Sequence, residues 1–264
     1  MIKDWTIGSD AEMFVKTISD KSVFPVCGLV GGTKQKPKAM GGGGFFIQED
    51  NVLLEFNIPV CHTPSEWVKN IRTGVTRAKA SMPQTLYLDA CASGNIHEGF
   101  LEIEQACVFG CEPDFNAWTR KVNPRPRVAD PTFRSAAAHV HIGWENPTDE
   151  ERHDLIKAAD LFVSVPSILE DPDKKRRELY GKAGAFRIKP YGVEHRVLSN
   201  YWIDQGSNIV EYIYHRYANA IRFVNQKRPG EELFKEETAT KIIRAINGCD
   251  TNLANELVRE YGLG

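Results

Sequence analysis

Residues 135–144 read SAAAHVHIGW. His139 and His141 alternate with Val140 and Ile142, and side chains two apart on a strand point to the same face. The segment therefore predicts a strand with one apolar side and one side carrying two imidazoles. Four other segments obey the same rule. TIGSDAEMFV (6–15) sets Asp10 and Glu12 against Ala11, Met13 and Val15; NVLLEFNIPV (51–60) sets Glu55 and Asn57 against Leu54, Phe56 and Ile58. AFRIKP (185–190) pairs Arg187 with Lys189, and GVEHRVL (192–198) pairs Glu194 with Arg196 against Val193 and Val197. Gathered in one curved sheet, these five strands would collect four carboxylates, an amide, two imidazoles and three cations on its concave side.

An antiparallel sheet ordinarily keeps one solvated face, so any single polar pair is unremarkable by itself. Sorting by type is what points to chemistry: acids cluster with histidine, and the basic groups come late and together. Hard divalent cations such as magnesium take carboxylate oxygens and work beside substrate phosphates, and imidazole admits manganese as well. Arg187, Lys189 and Arg196 are suited to phosphate oxygens, which guanidinium forks meet bidentately. Carboxylates, a metal and arginines facing one cavity are the requirements of phosphoryl transfer.

Outward from the strands, the texture changes near residue 145, with short strands and glycine-rich turns before it and mainly helices after it. A capping box, Thr63 with Glu66 and Pro64 between them, opens a helix whose Trp67, Ile71, Val75 and Ala78 recur at helical spacing. A second box, Thr148 with Glu151, opens PTDEERHDLIKAADLFVSVPSILED, where Pro166 should kink the chain. A third long helix follows Ser207, with Ile209, Ile213, Tyr217 and Ile221 every four residues, and shorter helices are expected at about 231–246 and 251–261. Runs of strands followed by runs of helices predict an α+β fold with a largely antiparallel sheet.

The chain has 264 residues, 42% apolar and 26% charged, with a formal net charge of −2 from 33 basic and 35 acidic residues. That balance gives no overall attraction to nucleic acid or anionic membrane. No apolar run approaches the roughly 18 residues of a membrane span, and MIKDWTIGSD lacks the blocks of a signal peptide, so a cytoplasmic protein is expected. Six scattered cysteines read as reduced structural thiols; Cys111, opening CEPDFN, is the one singled out.

Three segments stay open. GLVGGTKQKPKAMGGGGFF (28–46) lacks the ending of a phosphate-binding P-loop, and reads equally as a surface loop or as a lid bringing Lys34, Lys36 or Lys38 to substrate. RKVNPRPRVADPTFR (120–134) reads as an extended connection whose Arg125, Arg127 and Arg134 are candidates for holding an acidic substrate near His139. EDPDKKRREL (170–179) reads as a solvated turn between helices.

GSDAEMF, NVLLEFN, AHVHIG and VEHRVLSNYW, in that order, resemble the carboxylate-amine ligases of the glutamine synthetase and glutamate-cysteine ligase superfamily. The likeness is greatest to the phage-type COOH-NH2 ligases called type 2, through GGTK, GCEPDFNAW and EHR, and it runs from about residue 7 to 204. It implies one catalytic domain over 1–264, with about 205–264 as its helical C-terminal part. The sheet would resemble the glutamine synthetase or guanido kinase catalytic domain, curved, with helices on its convex side.

The resemblance further implies Asp10, Glu12, Glu55, His139 and Glu194 as metal ligands, with Glu12, Glu55 and Arg196 catalytic. His141, Arg187, Lys189 and Arg196 would then contact nucleotide or substrate. Two departures leave the number of metals open: Asp10 stands where many relatives have Glu, and Asn57 where a further carboxylate is expected. The implied activity is an ATP- and magnesium-dependent joining of a small-molecule or peptide carboxylate to an amine through an acyl phosphate. It carries expectations of a phage protein in the host cytoplasm, of assembly into oligomers as in relatives, and of no nucleic-acid or membrane partner. The competing readings are a phosphotransferase of the guanidino-kinase type and an inactive nucleotide-binding protein on the same fold.

Overall fold

The computed structural model describes residues 1–107 and 114–263. Its strands are β1 (Thr6–Thr17), β2 (Lys38–Ala39), β3 (Phe46–Asp50), β4 (Leu53–Asn57), β5 (Leu86–Asp89), β6 (Ser93–Asn95), β7 (Phe115–Asn116), β8 (Lys121–Val122), β9 (Phe133–Ser135), β10 (Ala138–Gly143), β11 (Ala185–Lys189) and β12 (Gly192–His195). The helices are α1 (Pro64–Ala80), α2 (Glu104–Cys107), α3 (Asp149–Ala159), α4 (Val165–Glu170), α5 (Arg176–Leu179), α6 (Ser207–Gln226), α7 (Glu236–Gly248) and α8 (Thr251–Tyr261).

One sheet runs β2-β3-β4-β1-β10-β12-β11-β7-β8, with β5 on the far end of β1, while β6 and β9 form a separate pair. Every ladder among the described residues is antiparallel. The architecture is the expected α+β one with a large antiparallel sheet and packed helices.

Register decides what the strands do together. Asp10 lies opposite both His139 and Asn57, and Glu12 opposite Glu55. His141 and Arg187 both lie opposite Glu194. Directly opposed residues of an antiparallel pair share a face, so the polar sets of all five strands emerge on the same side. The reverse side is apolar: Ala11, Met13, Leu54, Phe56, Val140, Ile142, Phe186 and Val193 are buried in one core with Trp67 of α1, Leu155 of α3 and Ile213 and Tyr217 of α6. Burial at roughly 25 cal/mol per Å² of apolar surface makes this two-sided pattern strongly preferred over a one-residue slip, which would exchange the faces. Gly74 lets α1 sit close to β4, since a Cβ there would come 2.6 Å from the Phe56 ring.

Both capping boxes form, Thr63 with Glu66 and Thr148 with Glu151. Pro166 acts one turn early. Proline cannot donate to the carbonyl four residues back, and the helix accommodates it with a π-helical turn over Asp160–Ser164 between α3 and α4. Four expectations shift. The β12 ladder stops at His195, so Arg196 follows the strand, its N–H donating to Ala185 O at 3.0 Å. The buried stripe of α6 begins at Val210 rather than Ile209, and α7 starts at Glu236. The fourth concerns residues 170–179, where Lys174 and Lys175 are solvated but Arg176 and Arg177 are buried. Arg176 is held by the carbonyls of Val197 and Arg196 at 3.0 and 3.4 Å, and Arg177 by Ser167 Oγ at 2.8 Å. No described helix is long and apolar enough to cross a membrane.

Glu151 gives a test of this packing. Burial would raise its carboxyl, but hydrogen bonds from the Met1 ammonium, Thr148 and Trp144 outweigh that and hold it down to about 2. A carboxyl depressed in the folded state contributes stability that is complete above its unfolded value and disappears as pH falls toward the folded one. The melting temperature of the wild type should therefore fall between about pH 4.5 and 2, and that of Glu151→Gln should start lower and fall less. Parallel melting curves for the two proteins would contradict this.

Candidate active site

Glu12, Asp50 and Glu55 come from three adjacent strands and place one carboxylate oxygen each within 4.8 Å of the others. Glu12 and Glu55 are buried and Asp50 partly so. Burial, reinforced by Asp50, pushes Glu12 up to about 8 against the opposing Ala137 N–H and Arg196. Burial and then Asp10, Asp50 and Glu12 push Glu55 well above the usual carboxylate range. Acids that force one another to keep protons are relieved by a hard cation. Asp50 was not among the residues singled out from sequence. The signal was present in FIQED, where the period of two places Asp50 on the same face as Gln48.

A second group, Asp10, His141 and Glu194, brings its ligand atoms equally close, but here the charges are met. Asp10 reaches His139 Nδ1 at 3.2 Å and His141 Nε2 at 3.1 Å. Burial would raise Asp10, and the two imidazoles, His141 foremost, hold it well below its ordinary value. Glu194 receives Lys189 at 2.6 Å, Arg187 at 3.3 Å and Arg196 in a short contact, with His139 at 3.7 Å. Although burial and Asp10 both raise Glu194, His139, Arg196 and His141 prevail and bring it to about 2.

The two histidines of the opening segment part company. Burial and then Arg196, whose Nη1 is 3.4 Å from Nδ1, lower His139 to about 4, so its ring is neutral at pH 7. For His141 burial is outweighed by Asp10 and the shift is upward; its Nδ1 meets Tyr191 Oη at 2.6 Å. Of the pair, His141 is the one in the three-ligand group and His139 the one that lines the adjoining cavity.

That cavity has a volume of about 300 Å³, and Glu12, Asp50, His139, Arg176 and Arg196 are part of its polar lining beside Leu53 and Phe133. Arg176 went unnoticed in the sequence because it sits in a charge run. Arg134 also lines it, but its guanidinium is engaged with Asn51 Oδ1 and the carbonyls of Pro131, Phe133 and Ala106. Arg125 and Arg127 are exposed.

The 28–46 segment is tied at its root, where Glu49 accepts from the N–H groups of Gly28, Val30 and Gly31 at 2.8 to 3.0 Å. It is tied again where Arg77 donates to Met40 O and Gly42 O. Lys34, Lys36 and Lys38 are exposed and none lines the cavity. Cys111 and the start of GCEPDFNAW lie outside the described residues.

Behind the polar face, β12 is clamped by a buried network. His195 Nδ1 is 2.6 Å from Tyr217 Oη, and its Nε2 is 3.5 Å from Asp160 Oδ1. Asp160 also accepts from Trp118 Nε1 and Gly184 N at 2.6 Å each. Glu194 and Arg196, on either side of His195, are thereby fixed through the backbone.

Acids, imidazoles and guanidiniums are thus gathered on one face of an antiparallel sheet. Residues 134–239 match the family described as phage phiEco32-like COOH.NH2 ligase-type 2. Among solved structures the chain is similar to a bifunctional glutathione synthetase from Pasteurella multocida, at 12% identity and a TM-score of 0.46. That alignment covers 98% of this chain and 49% of the other, so this chain spans about half the length of that protein. No curated protein matches the chain.

Proposed function

We propose that the chain is an ATP- and magnesium-dependent carboxylate-amine ligase, forming an amide or peptide bond through an acyl phosphate, with 1–264 acting as one catalytic domain. The observation that carries the reading is the crowded carboxylate trio Glu12, Asp50 and Glu55, of which Glu12 and Asp50 line one cavity together with Arg196. The donor set fits magnesium: three oxygens, raised proton affinities at Glu12 and Glu55, and no ion pair among the described residues that already neutralises them. Magnesium held there would draw charge from phosphate oxygens as a Lewis acid. The Asp10, His141 and Glu194 group fits a different duty, because Arg187, Lys189 and Arg196 already balance it. In this reading Glu194 aims those cations.

A substrate carboxylate oxygen attacks the γ-phosphorus of ATP and ADP leaves; the amine nitrogen then attacks the acyl carbon and inorganic phosphate leaves, the amine proton passing to solvent. Arg196, buried and fixed by Glu194, presents a guanidinium to the oxygens of the transferring phosphoryl group. Neutral His139 adds a lone-pair donor without adding repulsive charge. No protein nucleophile is required.

The test is product analysis with magnesium, ATP and panels of carboxylates and amines. Inorganic phosphate release that requires both substrates, with trapping of the acyl group by hydroxylamine, is the expected result. A phosphorylated acceptor would instead show a phosphotransferase. If magnesium-ATP failed to raise the melting temperature, an idle fold would be indicated, because binding to the native state stabilises it by mass action.

A further inference from the structure

We infer that the carboxylate substrate is an acidic peptide rather than a free amino acid, held at the mouth of the cavity by Arg125 and Arg127; this rests on the ligase reading above. Val128 lines the cavity, and Arg127 and Arg125 precede it by one and three residues. Both arginines are exposed. Neither takes part in the ion pairs or hydrogen bonds formed among the described residues, although the chain as a whole has more acids than bases.

The arm that carries them is held in shape. Pro124 and Pro126 fix their own φ and force the preceding residues, Asn123 and Arg125, toward extended backbone. Both ends are tied down. At one, Asn123 donates its backbone N–H to Asp114 O and its Nδ2 to Asp114 Oδ1, each at 2.9 Å. At the other, Asp130 accepts from Thr132 N at 2.8 Å and from Asn95 Nδ2 at 2.7 Å. Extended proline-rich backbone rises about 3.1 Å per residue, so the two guanidiniums leave the chain roughly 6 Å apart. That interval matches carboxylates on alternate residues of an extended peptide, which rises about 3.3 Å per residue. Lys175 adds a third cation, its Nζ 4.9 Å from the centre of the Phe133 ring, which is itself part of the cavity lining.

The rim is therefore cationic, and the floor sets Glu12 and Asp50 beside Arg176 and Arg196. A short free amino acid placed with its carboxylate among Glu12, His139 and Arg196 would leave the rim arginines unused. An acidic chain that enters with one carboxylate and lays the next ones along the arm would satisfy both, with little ordering cost because the arm is already fixed. A nucleic acid is a poorer fit, since the arm interleaves no aromatic residue on which bases would stack.

The experiment measures binding directly, so it does not depend on turnover. Fluorescein-labelled tetraglutamate is titrated by anisotropy with the full chain and magnesium-ATP, with competition by unlabelled tetraglutamate, glutamate and an oligothymidylate of equal charge. Tetraglutamate should compete at least about tenfold better than glutamate or the oligothymidylate, and its affinity should weaken with salt. The double variant Arg125→Gln/Arg127→Gln should lose that advantage while keeping the wild-type thermal shift with magnesium-ATP. Equal competition by glutamate, stronger competition by the oligothymidylate, or an unchanged double variant would overturn the inference. Tetraglutamate binding by a protein that makes no amide would overturn the ligase reading alone; ligation of free amino acids without tetraglutamate preference would overturn only this inference.

Discussion

Glu12→Gln should lower substrate-dependent phosphate release by at least about 10²–10³-fold, the scale of removing one preorganised electrostatic contact, and should do so without unfolding the protein. Glu12 is a member of the carboxylate trio, so the substitution removes one of three charges proposed to hold magnesium. The fold should tolerate it because the buried carboxyl already favours its proton up to about 8, and glutamine has nearly the shape of that neutral form. Ala137 N–H, which donates to Glu12 Oε2 at 2.8 Å, would still find an amide oxygen. Two measurements check this together: phosphate release, and the rise in melting temperature with magnesium or manganese. The wild type should show the metal-dependent rise and the variant should lose it. A variant that still turns over and still responds to metal would remove the trio from the mechanism.

Arg196→Ala should reduce turnover by about 10³-fold or more, the effect attributed to a guanidinium that stabilises a transferring phosphoryl group. The cost to stability should be smaller than that usual for breaking a buried ion pair, about 3–5 kcal/mol. The reason is that Glu194 keeps Lys189 at 2.6 Å and Arg187 at 3.3 Å. Arg196→Lys should recover little, because an ammonium is a point charge and cannot match two phosphate oxygens at once. Added guanidinium at millimolar concentration should restore part of the activity of the alanine variant and none of the lysine variant. Loss of folding in the alanine variant, or wild-type turnover, would each contradict the assignment.

Much of this arrangement was legible along the chain. Strand periodicity is local, so AHVHIG could be read as one apolar and one polar side, and the observed strand spans Ala138–Gly143. Capping boxes are local too, and Thr63 and Thr148 begin helices where their hydroxyls and the glutamates three residues on require. The difference between His139 and His141 was not legible, because it depends on Arg196 and Asp10, which reach them only through strand pairing. Arg176 and Arg177 looked solvated because their run is charged. They are buried because carbonyls at 196, 197 and 181 and the Ser167 hydroxyl oxygen accept their hydrogen bonds, and none of those partners is marked in the sequence.

The sequence by itself determined which side chains share a face within each strand, since that follows from backbone geometry two residues at a time. Only the tertiary structure decided which carboxylates crowd with no ion pair among the described residues and which are already paired. Glu12, Asp50 and Glu55 fall in the first group, and Asp10 and Glu194 in the second. Electrostatic fate depends on distance through space in a weakly screening interior, and register between strands far apart in the chain sets those distances.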